Sequence, residues 1–334
     1  MNYRILGKTG FRVSEIGFGA WGLGGDAYGR VDDAVSKTAL LHALDLGVNF
    51  FDTADLYGGG HSEKIVGETL RPFRDRVLIA TKVGTLPHTG FYMPQDFSPG
   101  HIRKGIEASL RRLQTGHIDL YQLHSPDLQT CDLEGAVRTL EHLRAEGVVR
   151  AFGISVRSPA DGKLALQRFA VDTLQVNFNL IDQRAVDCGL FELAQRLHVG
   201  IIARTPLCFG YLTGKFTGSE NFEGRDHRAN WPAEQLRRWA EAPNAFASLH
   251  DHRRTPAQLA LRFCLAWNAV STVIPGMMTP QHVAENLSAV RVPRLTEAEL
   301  AEIRRIYQAH TFYDPAVKQK ALAAETPSHE PAHV

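Results

Sequence analysis

The stretch "GVNFFDTADLYGGGHSE", residues 47–63, decides how this chain folds. Val48, Phe50 and Phe51 make a short apolar run of the β-branched and aromatic type that suits a buried strand. The run stops abruptly at Asp52, and Asp55, Tyr57 and three glycines follow. The same plan recurs along the chain in "SEIGFGA", "VLIATKVG", "IDLYQLHS", "VVRAFGIS", "DTLQVNFN", "GIIARTPL" and "STVIPG". With the first stretch these make eight apolar runs, starting near Ser14, Gly47, Val77, Ile118, Val148, Asp172, Gly200 and Ser271. Most steps are roughly thirty residues, the length of one strand–helix unit.

Amphipathic segments fill the gaps. In "GHIRKGIEASLRRLQT", Ile102, Ile106, Leu110 and Leu113 share one helical face, and Leu190, Leu193 and Leu197 do so in "GLFELAQRLHVG". Gly47, Gly147 and Gly200 sit where helix-terminating glycines belong. Runs apolar throughout suit parallel strands covered on both faces. The expectation is an α/β fold, a (β/α)8 TIM barrel over residues 1–313, with a doubly wound sheet as its rival. Two long loops, "GTLPHTGFYMPQDFSPG" after the third strand and Arg204 to Pro232 after the seventh, break the rhythm and read as lids. Residues 314–334 read as a poorly ordered tail.

Bulk properties narrow the function. A chain of 334 residues with 44% hydrophobic and 22% charged residues can build a large core. A net charge of +1 without cationic clusters argues against nucleic acid as a partner. Cys131, Cys188, Cys208 and Cys264 lack metal-site spacing and read as reduced thiols, so no metal is expected. Without a signal core or a long apolar span, the protein is expected to be cytoplasmic, off the membrane and monomeric. Gly17, Gly19 and Gly22 match G-x-G-x-x-G, but no helical pattern starts before about Asp32, so the Rossmann reading fails on context.

In a barrel the strand ends meet at one mouth. Asp52 ends the second strand with Tyr57 in its loop, Lys82 ends the third, and His124 ends the fourth. Singly, these could be a turn cap, a snorkelling lysine, a structural histidine and a loop tyrosine. Together they form a proton-transfer set: an ammonium lowers a phenol's pKa, a carboxylate holds the ammonium, and an imidazole orients a carbonyl oxygen.

"FDTADLYGGGHSE", "IATKVG" and "YQLHSPD" together resemble the aldo-keto reductase superfamily, particularly its bacterial branch similar to potassium-channel β-subunits. The likeness runs from "YRILGKTGFRVSEIGFGAWGLGG" to "IPGMMTPQHVAENLSA". It implies an enzyme that passes hydride between a nicotinamide nucleotide and an aldehyde or ketone, reversibly. Asp52, Tyr57, Lys82 and His124 would be its tetrad, with Tyr57 the general acid. It also implies nucleotide contacts at Gly19, Ala20, Trp21 and Asp52, a carboxamide held by Ser155 and Gln175, and Phe178 under the ring. The pyrophosphate would lie along Thr205, Pro206, Leu207, Leu212, Gly214 and Lys215, with Arg228 folding the loop over it. The adenosine end would meet Gly276, Met277, Met278, His282, Glu285 and Asn286, near a helix starting at Pro280.

NADP(H) is favoured by the resemblance, and NAD(H) competes because Met278 stands where relatives place a basic residue. A second departure is Val156, where relatives carry Asn. The alternative within the fold is a nucleotide-binding redox-sensing partner protein; outside it, a phosphate-binding isomerase. The substrate is expected to meet Trp21, Tyr57, Phe91, Tyr92 and His124, with the C-terminal His310–Tyr313 closing an aromatic pocket.

Overall fold

The computed structural model describes residues 1–314 except 89, 223, 225, 251 and 252. Residues 315–334, nearly all of the expected tail, lie outside the described residues. Its strands are β1 (Tyr3–Ile5), β2 (Arg12–Ser14), β3 (Phe18–Gly19), β4 (Phe50–Asp52), β5 (Leu78–Val83), β6 (Ile118–His124), β7 (Val149–Ser155), β8 (Thr173–Asn177), β9 (Gly200–Arg204) and β10 (Val270–Ile274). The helices are α1 (Asp33–Asp45), α2 (His61–Leu70), α3 (Pro99–Leu113), α4 (Glu134–Ala145), α5 (Pro159–Arg168), α6 (Arg184–Asp187), α7 (Leu190–Arg196), α8 (Ala233–Ala245), α9 (Pro256–Leu265), α10 (Pro280–Ser288) and α11 (Glu297–Ala309).

Strands β3 to β10 pair in chain order, all parallel. Parallel bridges Ile16–Val273 and Gly19–Gly276 bring the first of them against the last, completing a (β/α)8 barrel. The short β3 explains its glycines. A Cβ on Gly19 would lie 2.7 Å from the Ile274 carbonyl oxygen, and one on Gly17 would lie 2.9 Å from Phe50. Close strand approach, rather than a nucleotide turn, accounts for the G-x-G-x-x-G spelling. After a short 3-10 turn at Trp21–Gly24, the first α-helix begins only at Asp33, capped by the Asp32 side chain on the Ala34 and Val35 N–H groups.

Period-two alternation sorts the barrel residues. Phe50, Ala80, Leu120, Ala151, Ile202 and Ile274 form one interior apolar cluster, and Leu6, Phe11 and Val13 close it from below. The last three come from the antiparallel hairpin of β1 and β2 and its turn, which lies ahead of the expected first strand and was not anticipated. Two residues further along the strands the same inward row turns polar: Asp52, Lys82, Gln122 and Arg204. The outward row packs against the helices in the main core.

Two local expectations need correction. Gly200 keeps a negative φ; His198, at φ 53°, takes the left-handed turn before β9. Gly200 is small instead because a Cβ there would press on Leu6 and Gly7 of the hairpin. Helix α7 buries Leu190, Phe191 and Ala194 and ends at Arg196, leaving Leu197 43% exposed. Directly after the second long loop comes α8, whose Gln235 side chain donates to the Phe312 carbonyl at 2.8 Å and accepts from the Asp314 N–H at 3.2 Å. Among the described residues, no helix is long and apolar enough to cross a membrane, and no three His, Cys, Asp or Glu side chains cluster to hold a metal.

Candidate active site

At the upper end of the inward rows, Lys82 is fully buried with its three ammonium hydrogens all engaged. It donates to Asp52 Oδ1 at 2.6 Å, the Thr53 carbonyl at 2.8 Å and Tyr57 Oη at 3.2 Å. Asp52 Oδ2 accepts from Gln175 Nε2 at 2.8 Å and Gln122 Nε2 at 3.3 Å. The carboxylate is therefore bonded on both oxygens, which a buried ion pair requires if it is not to destabilise the fold. Gln122 was missed from the sequence, although it stands two residues before His124 on the same strand and so on the same face.

Tyr57 is presented by a turn in which Gly58, Gly59 and Gly60 all have positive φ, at 61°, 61° and 95°. Side chains with a Cβ rarely adopt three such angles in succession, so the glycine run is what lets the chain double back and start α2. The His124 ring meets the Tyr57 ring edge-on, with centroids 5.9 Å apart. Its Nδ1 is buried without a hydrogen-bond partner among the described residues.

Electrostatics follow from this crowding. Burial pulls the Lys82 pKa down, but Asp52 and Tyr57 outweigh it and hold the ammonium above the ordinary lysine value. Burial pushes the Tyr57 phenol up, and the pull of Lys82 does not cancel that. Burial drives His124 far below the usual histidine value, with Lys82, Arg204 and His88 acting the same way, so the imidazole is neutral at pH 7. The set thus holds a protonated phenol, a permanent cation and a neutral imidazole around one point. It can bind a carbonyl oxygen and give it a proton.

The Aldo/keto reductase family model matches residues 15–308. The chain belongs to the aldo/keto reductase family. It is 31% identical over 322 residues to Aldo-keto reductase YhdN of Bacillus subtilis (strain 168), covering 94% of this chain and 96% of that one. It is 34% identical over 297 residues to L-galactose dehydrogenase of Arabidopsis thaliana, covering 86% and 87%. Among solved structures, the holo form of aldo-keto reductase AKR11C1 from Bacillus halodurans matches with TM-score 0.78 and 31% identity, covering 94% of this chain and 99% of that one. The glycerol dehydrogenase AKR11B4 from Gluconobacter oxydans matches with TM-score 0.79 and 30% identity, covering 94% and 98%. The protein is accordingly an oxidoreductase of a family that uses nicotinamide cofactors on small carbonyl substrates.

In this aldo/keto reductase the expected cofactor residues fall into distinct groups. Ser155 pairs in register with Gln175 beside Asp52, and its hydroxyl lies 3.5 Å from Gln175 Oε1. Gly19, Ala20 and Trp21 line the mouth beside them; the Ala20 N–H donates to the Asp52 carbonyl at 2.9 Å. Thr205 and Pro206 lead into the strap after β9, where Lys215 pairs with Glu285 of α10 at 3.0 Å. Helix α10 offers a capped N-terminus, its Thr279 hydroxyl accepting from the His282 N–H. The Met278 N–H faces His282 Nδ1 at 3.5 Å, and Asn286 donates to the Gly276 carbonyl at 3.4 Å. A Cβ added at Gly276 would meet nothing within 4 Å, so the groove is open there.

Other expected residues lie elsewhere. Phe178 follows Asn177 and so points outward, packed against Phe191, Phe263 and Trp267 at 4.8, 5.2 and 5.9 Å. Its ring is taken up by core packing rather than offered to the mouth, contrary to the expectation of an aromatic under the cofactor ring. Leu212 and Met277 are buried in the core, leaving only their backbone for a ligand. Arg228 is committed within the strap: it forks onto Asp226 at 2.9 and 2.6 Å, and its guanidinium carbon lies 4.2, 5.0 and 5.1 Å from the rings of Phe222, Phe216 and Tyr28. Tyr92 is 55% exposed, whereas Phe91 meets Trp231 edge-on at 4.7 Å.

Two residues that the sequence reading passed over stand at the mouth. Arg204 ends β9 with one guanidinium nitrogen donating to the Val156 carbonyl and its buried Nε unpartnered. His227 packs between Trp21 and Phe209 at 4.6 and 4.5 Å, and burial lowers its pKa to about 4.

Proposed function

We propose that the protein is an NAD(P)H-dependent carbonyl reductase, reversible toward alcohol oxidation, with Tyr57 as the proton donor. The observation that carries this reading is the contact of Lys82 with both Asp52 and Tyr57 inside a buried layer. Bound nicotinamide would supply the hydride. Tyr57 gives its proton to the oxygen of the reacting carbonyl, and Lys82 stabilises the phenolate left behind. Asp52 holds Lys82 charged, and neutral His124 directs the carbonyl oxygen toward Tyr57.

The residues fit such a cofactor. Ser155 and Gln175 offer amide-matching groups at adjacent strand ends. The α10 N-terminus, with Thr279 and His282, suits a phosphate. NADPH is the favoured form, through His282 and backbone N–H groups in place of a basic residue at Met278. The mouth is walled by Trp21, Phe91, Phe209, His227 and Trp231, which suits an apolar or ring-shaped carbonyl.

The test combines fluorescence titration of NADPH and NADH with turnover of the Tyr57→Phe variant. The expected outcome is unchanged cofactor binding with a loss of roughly 10²–10⁴ in carbonyl reduction. Turnover at the wild-type level in that variant refutes the assignment.

A further inference from the structure

Behind the loop that carries Tyr57 lies a second layer of charged groups, outside the barrel wall and beneath α2 and α3. Glu63 of α2 is fully buried there. It takes the Thr81 hydroxyl at 2.5 Å on one oxygen and the Arg112 guanidinium at 2.6 Å on the other. Asp55 shares this layer, two residues before Tyr57 and with its N–H 3.5 Å from the Lys82 carbonyl. Among the described residues its Oδ1 is buried without a hydrogen-bond partner, and so is the hydroxyl of Tyr121 from β6. One carboxylate has taken the strong donors and the other has been left with the Leu56 N–H. Asp55 is part-buried, and a carboxylate whose inner oxygen is buried without a donor is favoured with a proton on it.

We propose that Asp55 is held protonated beside the Glu63–Arg112 pair, and that this proton fixes the position of the Tyr57 turn, making Asp55 a positioning residue for carbonyl reduction. This rests on the reading of Tyr57 as the acid. The mechanical link is Arg112: besides binding Glu63, its side chain packs against the turn, where a Cβ on Gly60 would come within 2.6 Å of it. The groups facing Asp55 are Glu63 from α2, Arg112 from α3, Lys82 from β5 and Tyr121 from β6. Burial, then Glu63, raises the Asp55 carboxyl to about 7 against the opposing pull of Arg112, Leu56 N–H and Lys82. When Asp55 releases its proton to solvent, two carboxylates compete for Arg112. The turn then shifts, and Tyr57 leaves its place beside Lys82.

The sign follows directly. Between the ordinary carboxylate range and about 7, folded Asp55 binds a proton that the unfolded chain does not. Stability and activity therefore both decline as pH rises toward and through that value.

The experiment measures kcat for carbonyl reduction at saturating NADPH from about pH 5.5 to about 8.5, with urea unfolding at both ends. It compares wild type with Asp55→Asn and Glu63→Gln. At about pH 8.5 only roughly one Asp55 in thirty keeps its proton, so wild-type kcat falls roughly thirtyfold across the range. Asp55→Asn, which copies the protonated shape, is flat and loses less stability over the same range. Glu63→Gln moves the decline to lower pH, because the repelling charge is gone. A wild-type decline that persists unchanged in Asp55→Asn, or no decline in wild type, overturns the proposal. Full turnover in Tyr57→Phe signals instead that the underlying catalytic reading has failed.

Discussion

Replacing Asp52 and Lys82 together, by Asn and Met, separates what their pair does for the fold from what it does for Tyr57. Lys82→Met alone leaves Asp52 as a buried charge facing only two amides and costs about 3–5 kcal/mol of stability. The double variant removes both charges and keeps the volumes, so it recovers most of that loss. Its catalytic loss remains. A unit charge at the 3.2 Å separation of Lys82 Nζ and Tyr57 Oη interacts with phenolate by about 5 kcal/mol at an effective dielectric of about 20. Burial already pushes the phenol up. Without the cation nothing within hydrogen-bond reach draws it down, and Tyr57 becomes a weaker acid. Reduction should fall by roughly 10²–10³, a large part of what a positioned acid contributes. Alcohol oxidation needs Tyr57 as phenolate, so it should fall further, and its rise with pH should move to higher pH. Stopped-flow kinetics in both directions, beside urea unfolding, make the comparison. A folded double variant within about threefold of wild type, or an unmoved oxidation profile, refutes the electrostatic role of Lys82.

Arg228→Ala should loosen the strap without touching the tetrad. Cofactor dissociation should accelerate and hydrogen exchange rise across the described residues of 205–232, with turnover of bound cofactor nearly unchanged; equal dissociation rates would show the fork onto Asp226 to be idle. Phe178→Ala should cost about 3–5 kcal/mol in unfolding free energy, as large core truncations do, while leaving nicotinamide binding intact. Weakened binding at unchanged stability would return Phe178 to the site.

How much was readable from the sequence depended on parity along the strands. Asp52, Lys82 and His124 were legible because each is a polar residue closing an apolar run, and the barrel brings such ends together. Extending the alternation inward would also have reached Gln122 and Arg204, which share faces with His124 and Ile202. The same count excludes Phe178, one step beyond Asn177. The eight-strand rhythm survived almost intact, since each run is buried on both sides and needs no tertiary information to look apolar. The hairpin of β1 and β2 did not stand out, because three-residue strands carry too few side chains to show a period. Helix α8 hid behind Pro243 near its end and an insertion rich in aromatics. The Asp55–Glu63 layer was invisible for a different reason: it depends on which carboxylate captures Arg112, a competition settled only by packing.

The hairpin that closes the barrel base also shapes the field around the tetrad. Leu6, Phe11 and Val13 set a hydrocarbon floor beneath Phe50, Ala80 and Leu120, so little polarisable matter lies under Lys82 and Asp52. Their field lines spread poorly downward and emerge chiefly through the mouth, toward an arriving substrate. The base of the barrel thus acts as an electrical insulator for chemistry performed at its other end.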